Sequence, residues 1–197
     1  IMPTPCWVSY VEMVKIAQGK SVLAKTSMEN NFCLTAEQLE EVITPNTKLL
    51  MLCTPNNPTG SVYTYENLKA IVEVLKKHPQ IIVLADEIYQ HILYTGKHET
   101  LAQFPELEDR LIIINGVSKA YAMTGYRIGW LACHDKDFIT AVKRLQGQTI
   151  SCATTIAQKA AEAAYSGPQD CVEDMRQAFE RRRNLIVGLA KEIPGMK

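Results

Sequence analysis

Five short apolar runs, Ser21–Ala24, Lys48–Cys53, Ile81–Ala85, Leu111–Asn115 and Ile128–Cys133, punctuate the chain, and several show no polar alternation. Strands buried on both faces of a sheet have this pattern, because neither side meets water. Between the runs, apolar residues recur at helical spacing over Leu34–Ile43, Tyr65–Lys77 and Phe138–Gln146. Thr35, followed by Gln38, predicts a capped start for the first of these helices. Strands and helices alternating in this way predict an α/β fold, a three-layer α/β/α arrangement built on one mostly parallel sheet with helices on both faces. Parallel neighbours need a long crossover, and the link from Asn115 to Ile128 is too short to hold a full helix as well as a loop. The Ile128–Cys133 run is therefore free to pair antiparallel. Pro168 opens a last helix that carries Val172, Met175, Phe179, Leu185, Ile186 and Leu189 and ends near Pro194. At about 25 residues it would span roughly 37 Å, enough to leave the domain and reach another.

Composition narrows what the fold can serve. The chain has 197 residues, of which 47% are hydrophobic, enough for one substantial core. Acidic and basic residues balance at 21 each, so no net field recruits nucleic acid or an anionic membrane, and a small-molecule partner fits better. No stretch approaches the roughly 20 apolar residues that span a bilayer, and the first residues lack the order of a signal peptide, so the chain reads as soluble. The six cysteines are scattered, with no CxxC pair and no histidine at metal-ligand spacing. Reduced thiols, and hence the cytoplasm, are expected, and no metal. The chain opens on Ile1 and closes on Pro194-Gly195-Met196-Lys197, which reads as a turn between elements and suggests part of a longer protein.

In an open α/β sheet, ligands gather beyond the carboxyl ends of the strands. Four such ends stand out. After Lys48–Cys53 comes Thr54-Pro55-Asn56-Asn57-Pro58-Thr59-Gly60, which alone would be a turn. After Ile81–Ala85 comes Asp86-Glu87-Ile88-Tyr89, a carboxylate and a phenol that alone could mark a helix cap. After Leu111–Asn115 comes Gly116-Val117-Ser118-Lys119, and further on Arg127 lies between Gly125 and Gly129. A lysine at a strand end is usually a solvated surface residue, but Val117, Ala120, Tyr121 and Met123 give Lys119 apolar neighbours. Taken together, these ends supply an amide, a carboxylate, a phenol, an amine and a guanidinium. A phosphorylated pyridine aldehyde needs this set: an acid for the ring nitrogen, donors for the ring hydroxyl, an amine for the aldehyde and an arginine for the phosphate.

With these motifs in order from Pro3-Thr4-Pro5-Cys6-Trp7-Val8-Ser9-Tyr10 to Ser118-Lys119-Ala120-Tyr121-Ala122-Met123-Thr124-Gly125-Tyr126-Arg127-Ile128-Gly129-Trp130, the chain resembles the class I and II aminotransferases of the aspartate-aminotransferase fold type. The resemblance implies pyridoxal 5'-phosphate as cofactor, held by Lys119 as a Schiff base, with the freed amine then serving as general base. It implies Asp86 at the ring nitrogen, Asn57 and Tyr89 at the ring hydroxyl, Trp7 stacked on the ring, and Arg127 and Ser118 at the phosphate. Asn57 would also lie near the substrate carboxylate. The reaction implied moves an amino group between an amino acid, with aspartate the first guess, and a 2-oxo acid, in a homodimer. A lyase of the same fold and a ligand-sensing regulator without turnover are the alternatives. Family members are longer, with a phosphate loop upstream and a carboxylate-binding arginine in a C-terminal small domain. Residues 1–197 therefore resemble an incomplete large domain, with the helix from about 168 leading toward the small domain, and are expected to be inactive alone.

Overall fold

The computed structural model describes residues 1–196. Its first elements are β1 (Met2–Thr4), α1 (Val8–Ile16), β2 (Leu23–Lys25), α2 (Ala36–Val42), β3 (Leu49–Cys53), α3 (Tyr65–Lys76) and β4 (Ile82–Asp86). They are followed by β5 (Leu111–Gly116), β6 (Gly129–Ala132), α4 (Lys136–Thr149), α5 (Thr155–Ser166) and α6 (Asp170–Lys191). The main sheet has the order β3-β4-β5-β6, parallel except for the last pair, which is antiparallel.

Alternation along β3 divides the interior into two cores. Leu50 and Leu52 point to one face, with Val83 and Ala85 of β4, and pack against Leu39 of α2 and Leu68, Ile71, Val72 and Leu75 of α3. Met51 and Cys53 point to the other face and meet Met2, Tyr10, Val11 and Val14. A strand apolar on both sides is thus covered on both sides, as its lack of polar positions predicts. Thr35 and Gln38 form the predicted box, the Gln38 N–H donating to Thr35 Oγ1 and the Thr35 N–H to Gln38 Oε1.

Three expectations need correction. The Ser21–Ala24 run does not join the main sheet. Its strand lies at Leu23–Lys25 and pairs in parallel with β1. The reason is that the residue before β1 takes the β3 edge first: the Ile1 amine donates to the Leu49 carbonyl at 2.6 Å, and the Met51 N–H donates to the Ile1 carbonyl at 3.0 Å. The Phe138–Gln146 helix extends over Lys136–Thr149, because Asp135 caps it from the Phe138 N–H at 2.8 Å and Gly147 does not break it. The final helix starts at Asp170 and runs 22 residues, about 33 Å. Its later apolar side chains, Leu185, Ile186, Val187 and Leu189, are exposed. No helix among the described residues is long and apolar enough to cross a membrane.

Arg110 fixes the way α3 returns to the sheet. Its guanidinium donates to the carbonyls of His78 (2.7 Å), Ile81 (3.1 Å) and Leu75 (2.8 Å), at and beyond the helix end, where the Leu75 and His78 carbonyls also accept the His78 and Ile81 N–H groups. Arg110→Ala is expected to lower unfolding free energy by about 2–3 kcal/mol, the scale of charge-assisted hydrogen bonds lost to buried acceptors. Arg110→Lys should recover only part of it, since an ammonium lacks the planar fork. Urea unfolding midpoints of the two variants measure both effects.

Candidate active site

Strand register brings the site together. Cys53 lies opposite Asp86, and Asp86 opposite Ile114, so the carboxyl ends of β3, β4 and β5 finish side by side. The Asn57 loop leaves the first end, Asp86 closes the second, and Lys119 follows the third. At the fourth boundary β5 and β6 approach closely: a Cβ at Gly116 would lie 2.8 Å from the Gly129 Cα and 2.9 Å from the Ile128 carbonyl oxygen. Two glycines are what this crossing allows, and it returns the chain to the sheet directly after the loop that holds Lys119 and Arg127.

A cavity of about 270 Å³ opens beyond these strand ends. All seven residues singled out in the sequence line it: Trp7, Asn57, Asp86, Tyr89, Ser118, Lys119 and Arg127. Val117 and Ala120 on either side of the lysine loop are buried, while Lys119 itself is half-buried, with Nζ 5.6 Å from the centre of the Tyr89 ring. Asn57 Nδ2 donates to Tyr89 Oη at 3.4 Å. Asp86 does not cap a helix. Its Oδ1 accepts the Ile88 N–H at 3.1 Å, a local turn that aims the carboxylate at the cavity. Arg127 stands at φ 52°, left-handed backbone that a non-glycine residue adopts at a cost, and donates from one terminal nitrogen to the Thr124 carbonyl at 2.9 Å.

Sequence reasoning missed Tyr10, Cys53, Ile88, Ile114 and Thr124, which complete the lining. Tyr10 matters most. Its hydroxyl donates to Asp86 Oδ2 at 2.6 Å, and its ring meets that of Trp7 edge-on, centroids 5.4 Å apart. Burial first, and then the neighbouring Cys53 and Asp86, push the Tyr10 phenol far above its usual range, so it stays a donor. Burial, followed by the Asp86 charge, likewise pushes the Cys53 thiol up to about 11, which leaves it a packing group rather than a nucleophile. The spacing of Tyr10 three residues after Trp7 would have placed both on one helical face, had α1 been recognised.

Larger hollows exist, and volume alone does not choose among them. One of about 630 Å³ lies at the β1–β3 edge, lined by Ile1, Met2, Val14 and Leu49, and holds none of the predicted groups. Another, of about 420 Å³, lies on the far side of Asn57 and Tyr89, which wall both spaces, and reaches Tyr94, Phe179 and Arg183. Of these hollows among the described residues, the 270 Å³ cavity is the one that combines a fixed carboxylate, an amine, an amide–phenol pair and a guanidinium. Among the described residues no cluster suits a metal ion.

The family model for "Aminotransferase class I and II" matches residues 1–197. The chain is 50% identical over 197 residues to the aspartate aminotransferase of Geobacillus stearothermophilus, an alignment covering 99% of this chain and 50% of that protein. Among solved structures it resembles the aspartate aminotransferase of Rhizobium meliloti (TM-score 0.95, 43% identity, 98% of this chain and 49% of that one). It also resembles an aromatic aminotransferase of Pyrococcus horikoshii (TM-score 0.93, 35% identity, 97% and 52%). The chain thus spans about half the length of the relatives it matches. With the family match running over the whole chain and the strand ends converging on one polar cavity, the chain belongs to the class I and II aminotransferases.

Proposed function

We propose that this chain is the cofactor-binding part of a pyridoxal 5'-phosphate-dependent aminotransferase that moves an amino group between an amino acid and a 2-oxo acid. The observation that carries the reading is the convergence of Lys119, Asp86, Asn57, Tyr89 and Arg127, from separate strand ends, on one cavity. The donor set fits the cofactor. A carboxylate held from two sides suits a protonated ring nitrogen, the Asn57–Tyr89 pair suits a phenolate-type oxygen, and Arg127 with the Ser118 and Thr124 hydroxyls suits a phosphate.

When bound, the cofactor supplies an aldehyde carbon and an electron-withdrawing pyridinium ring. Lys119 Nζ is the amine that would hold the aldehyde and that would serve as the base moving the substrate's proton. Asp86, fixed by the Tyr10 hydroxyl and the Ile88 N–H, needs no reorganisation to oppose a positive charge in the cavity. Trp7 stands as an aromatic wall braced by Tyr10. Asn57, which borders both hollows, is placed to meet the substrate carboxylate from its side.

Aspartate is the first substrate to try, given the name of the Geobacillus relative. The nearly equal fit to an aromatic aminotransferase supports the view that the backbone of this half does not choose the substrate side chain. A homodimer and a cytoplasmic location belong to the same reading, the exposed apolar face of α6 supporting burial against further protein. The test uses the full-length protein. With pyridoxal phosphate it should acquire the near-ultraviolet to visible absorbance of bound cofactor and transfer nitrogen from aspartate to a 2-oxo acid. Cofactor uptake followed by loss of the amino acid's carboxyl or side chain, with no amino transfer, would replace this reading with a lyase.

A further inference from the structure

Glu87 follows Asp86 directly but does not line the cavity. It is buried, 4% exposed, and it is the residue on which the Asp86–Tyr89 turn pivots: its N–H donates to the Ile114 carbonyl at 2.9 Å, and its carbonyl accepts the Gln90 N–H at 2.9 Å. A carboxyl group so buried is costly without partners. Glu87 draws both of its partners from one distant loop. Thr100 Oγ1 donates to Oε1 at 2.6 Å, and His98 Nε2 lies 3.1 Å from Oε2, off the line of a good hydrogen bond. The His98 side chain is itself 14% exposed, and Thr100 Oγ1 also accepts the Ala102 N–H at 3.2 Å, which ties the clamp to the turn starting at Leu101. Neither His98 nor Thr100 reaches the cavity.

We propose that Glu87, His98 and Thr100 form a buried clamp that positions Asp86 and Tyr89, so that all three are positioning residues for the reaction. The claim rests on reading the cavity as the cofactor site. Asp86 and Tyr89 flank Glu87 on a short turn; the Tyr10, Ile88 and Asn57 contacts hold their side chains, and Glu87 seats the turn between them, so rotation of Glu87 out of its seat would tilt the carboxylate and the phenol. The loop at His98–Thr100 thereby sets geometry in a site it does not touch.

The test uses the full-length protein and four variants: Glu87→Gln, His98→Asn, Thr100→Val and Thr100→Ser. Two measurements are made: amide hydrogen exchange in the cofactor-free protein, and kcat and KM with cofactor bound. In Glu87→Gln and Thr100→Val exchange at Glu87, Ile88 and Gln90 should quicken by about tenfold, the factor expected for loss of one net hydrogen bond under a local turn, and in His98→Asn, which loses a close polar contact rather than a hydrogen bond, it should quicken by less. Turnover should fall in parallel, by about tenfold in Glu87→Gln and Thr100→Val and by less in His98→Asn, with the amino-acid KM nearly unchanged. Thr100→Ser keeps the hydroxyl and should match the parent in both measurements. Thr100→Val is the mildest change and carries the test if Glu87→Gln fails to fold. The proposal is overturned by unchanged exchange at the turn, by exchange that quickens equally throughout the chain, by parental turnover in the first three variants, or by Thr100→Ser behaving like Thr100→Val. If the parent protein itself transfers no amino group, the functional reading fails, while exchange at the turn still decides whether the clamp holds it.

Discussion

Lys119→Ala in the full-length protein is expected to lower amino transfer by at least about ten-thousand-fold and to remove the absorbance of covalently held cofactor. Two functions are lost together. Among the described residues Nζ is the one amine lining the cavity, so under the proposed function it supplies both the covalent hold and the proton transfer, and general acid–base catalysis alone contributes up to about ten-thousand-fold. The fold should survive, because Lys119 is half-buried, faces the cavity and makes no hydrogen bond to the framework that its loss would leave unpaired. A small primary amine added to the variant should restore a fraction of the proton transfer without restoring the hold. Turnover by the variant within about a hundredfold of the parent would move the reacting amine elsewhere.

Asp86→Asn tests the charge rather than the shape. The amide oxygen can still accept the Ile88 N–H, while the amide NH2 can donate to the Tyr10 hydroxyl oxygen in place of accepting from it, so the turn should persist. What disappears is a preorganised negative charge in a partly buried site, and turnover should drop by about a thousandfold with cofactor affinity reduced much less. Tyr10→Phe removes one of the two supports of the carboxylate and should cost about tenfold in turnover, with Asp86→Asn/Tyr10→Phe little worse than Asp86→Asn alone. Strict additivity of the two would mean that Tyr10 does not act through Asp86. Single-turnover kinetics at saturating substrate separate these cases from changes in binding.

The parts of this molecule that were legible in the sequence are those whose signal is local. Leu49–Cys53 lacks polar positions because both of its faces are covered, and Thr35 and Gln38 mark a helix start through contacts three residues apart. What was hidden depends on distant partners. The β1 strand is three residues long and contains Pro3, so nothing in its own sequence marks it as a strand; it is one because the distant β2, at Leu23–Lys25, pairs with it. The α1 helix carries Val8, Val11, Val14 and Ile16 and no side-chain cap, so β-branched residues mask its period, and Tyr10 was lost with it. The chemistry of the site followed a similar rule. Asp86, Lys119 and Arg127 could be named because each lies close to the end or start of an apolar run, whereas the hydroxyl that steadies Asp86 comes from 76 residues away.

Arg127 shows where durability and catalysis ask for different residues. A left-handed position such as its φ of 52° is one that glycine occupies without strain, at a saving of about 1 kcal/mol over other residues. A selection for heat resistance alone would therefore drift toward glycine at 127, and in doing so delete the cation that faces the cavity. The arginine persists there only while something rewards its charge, so position 127 is a place where a survey of thermostable variants would expose the difference between a chain kept for its shape and one kept for its work.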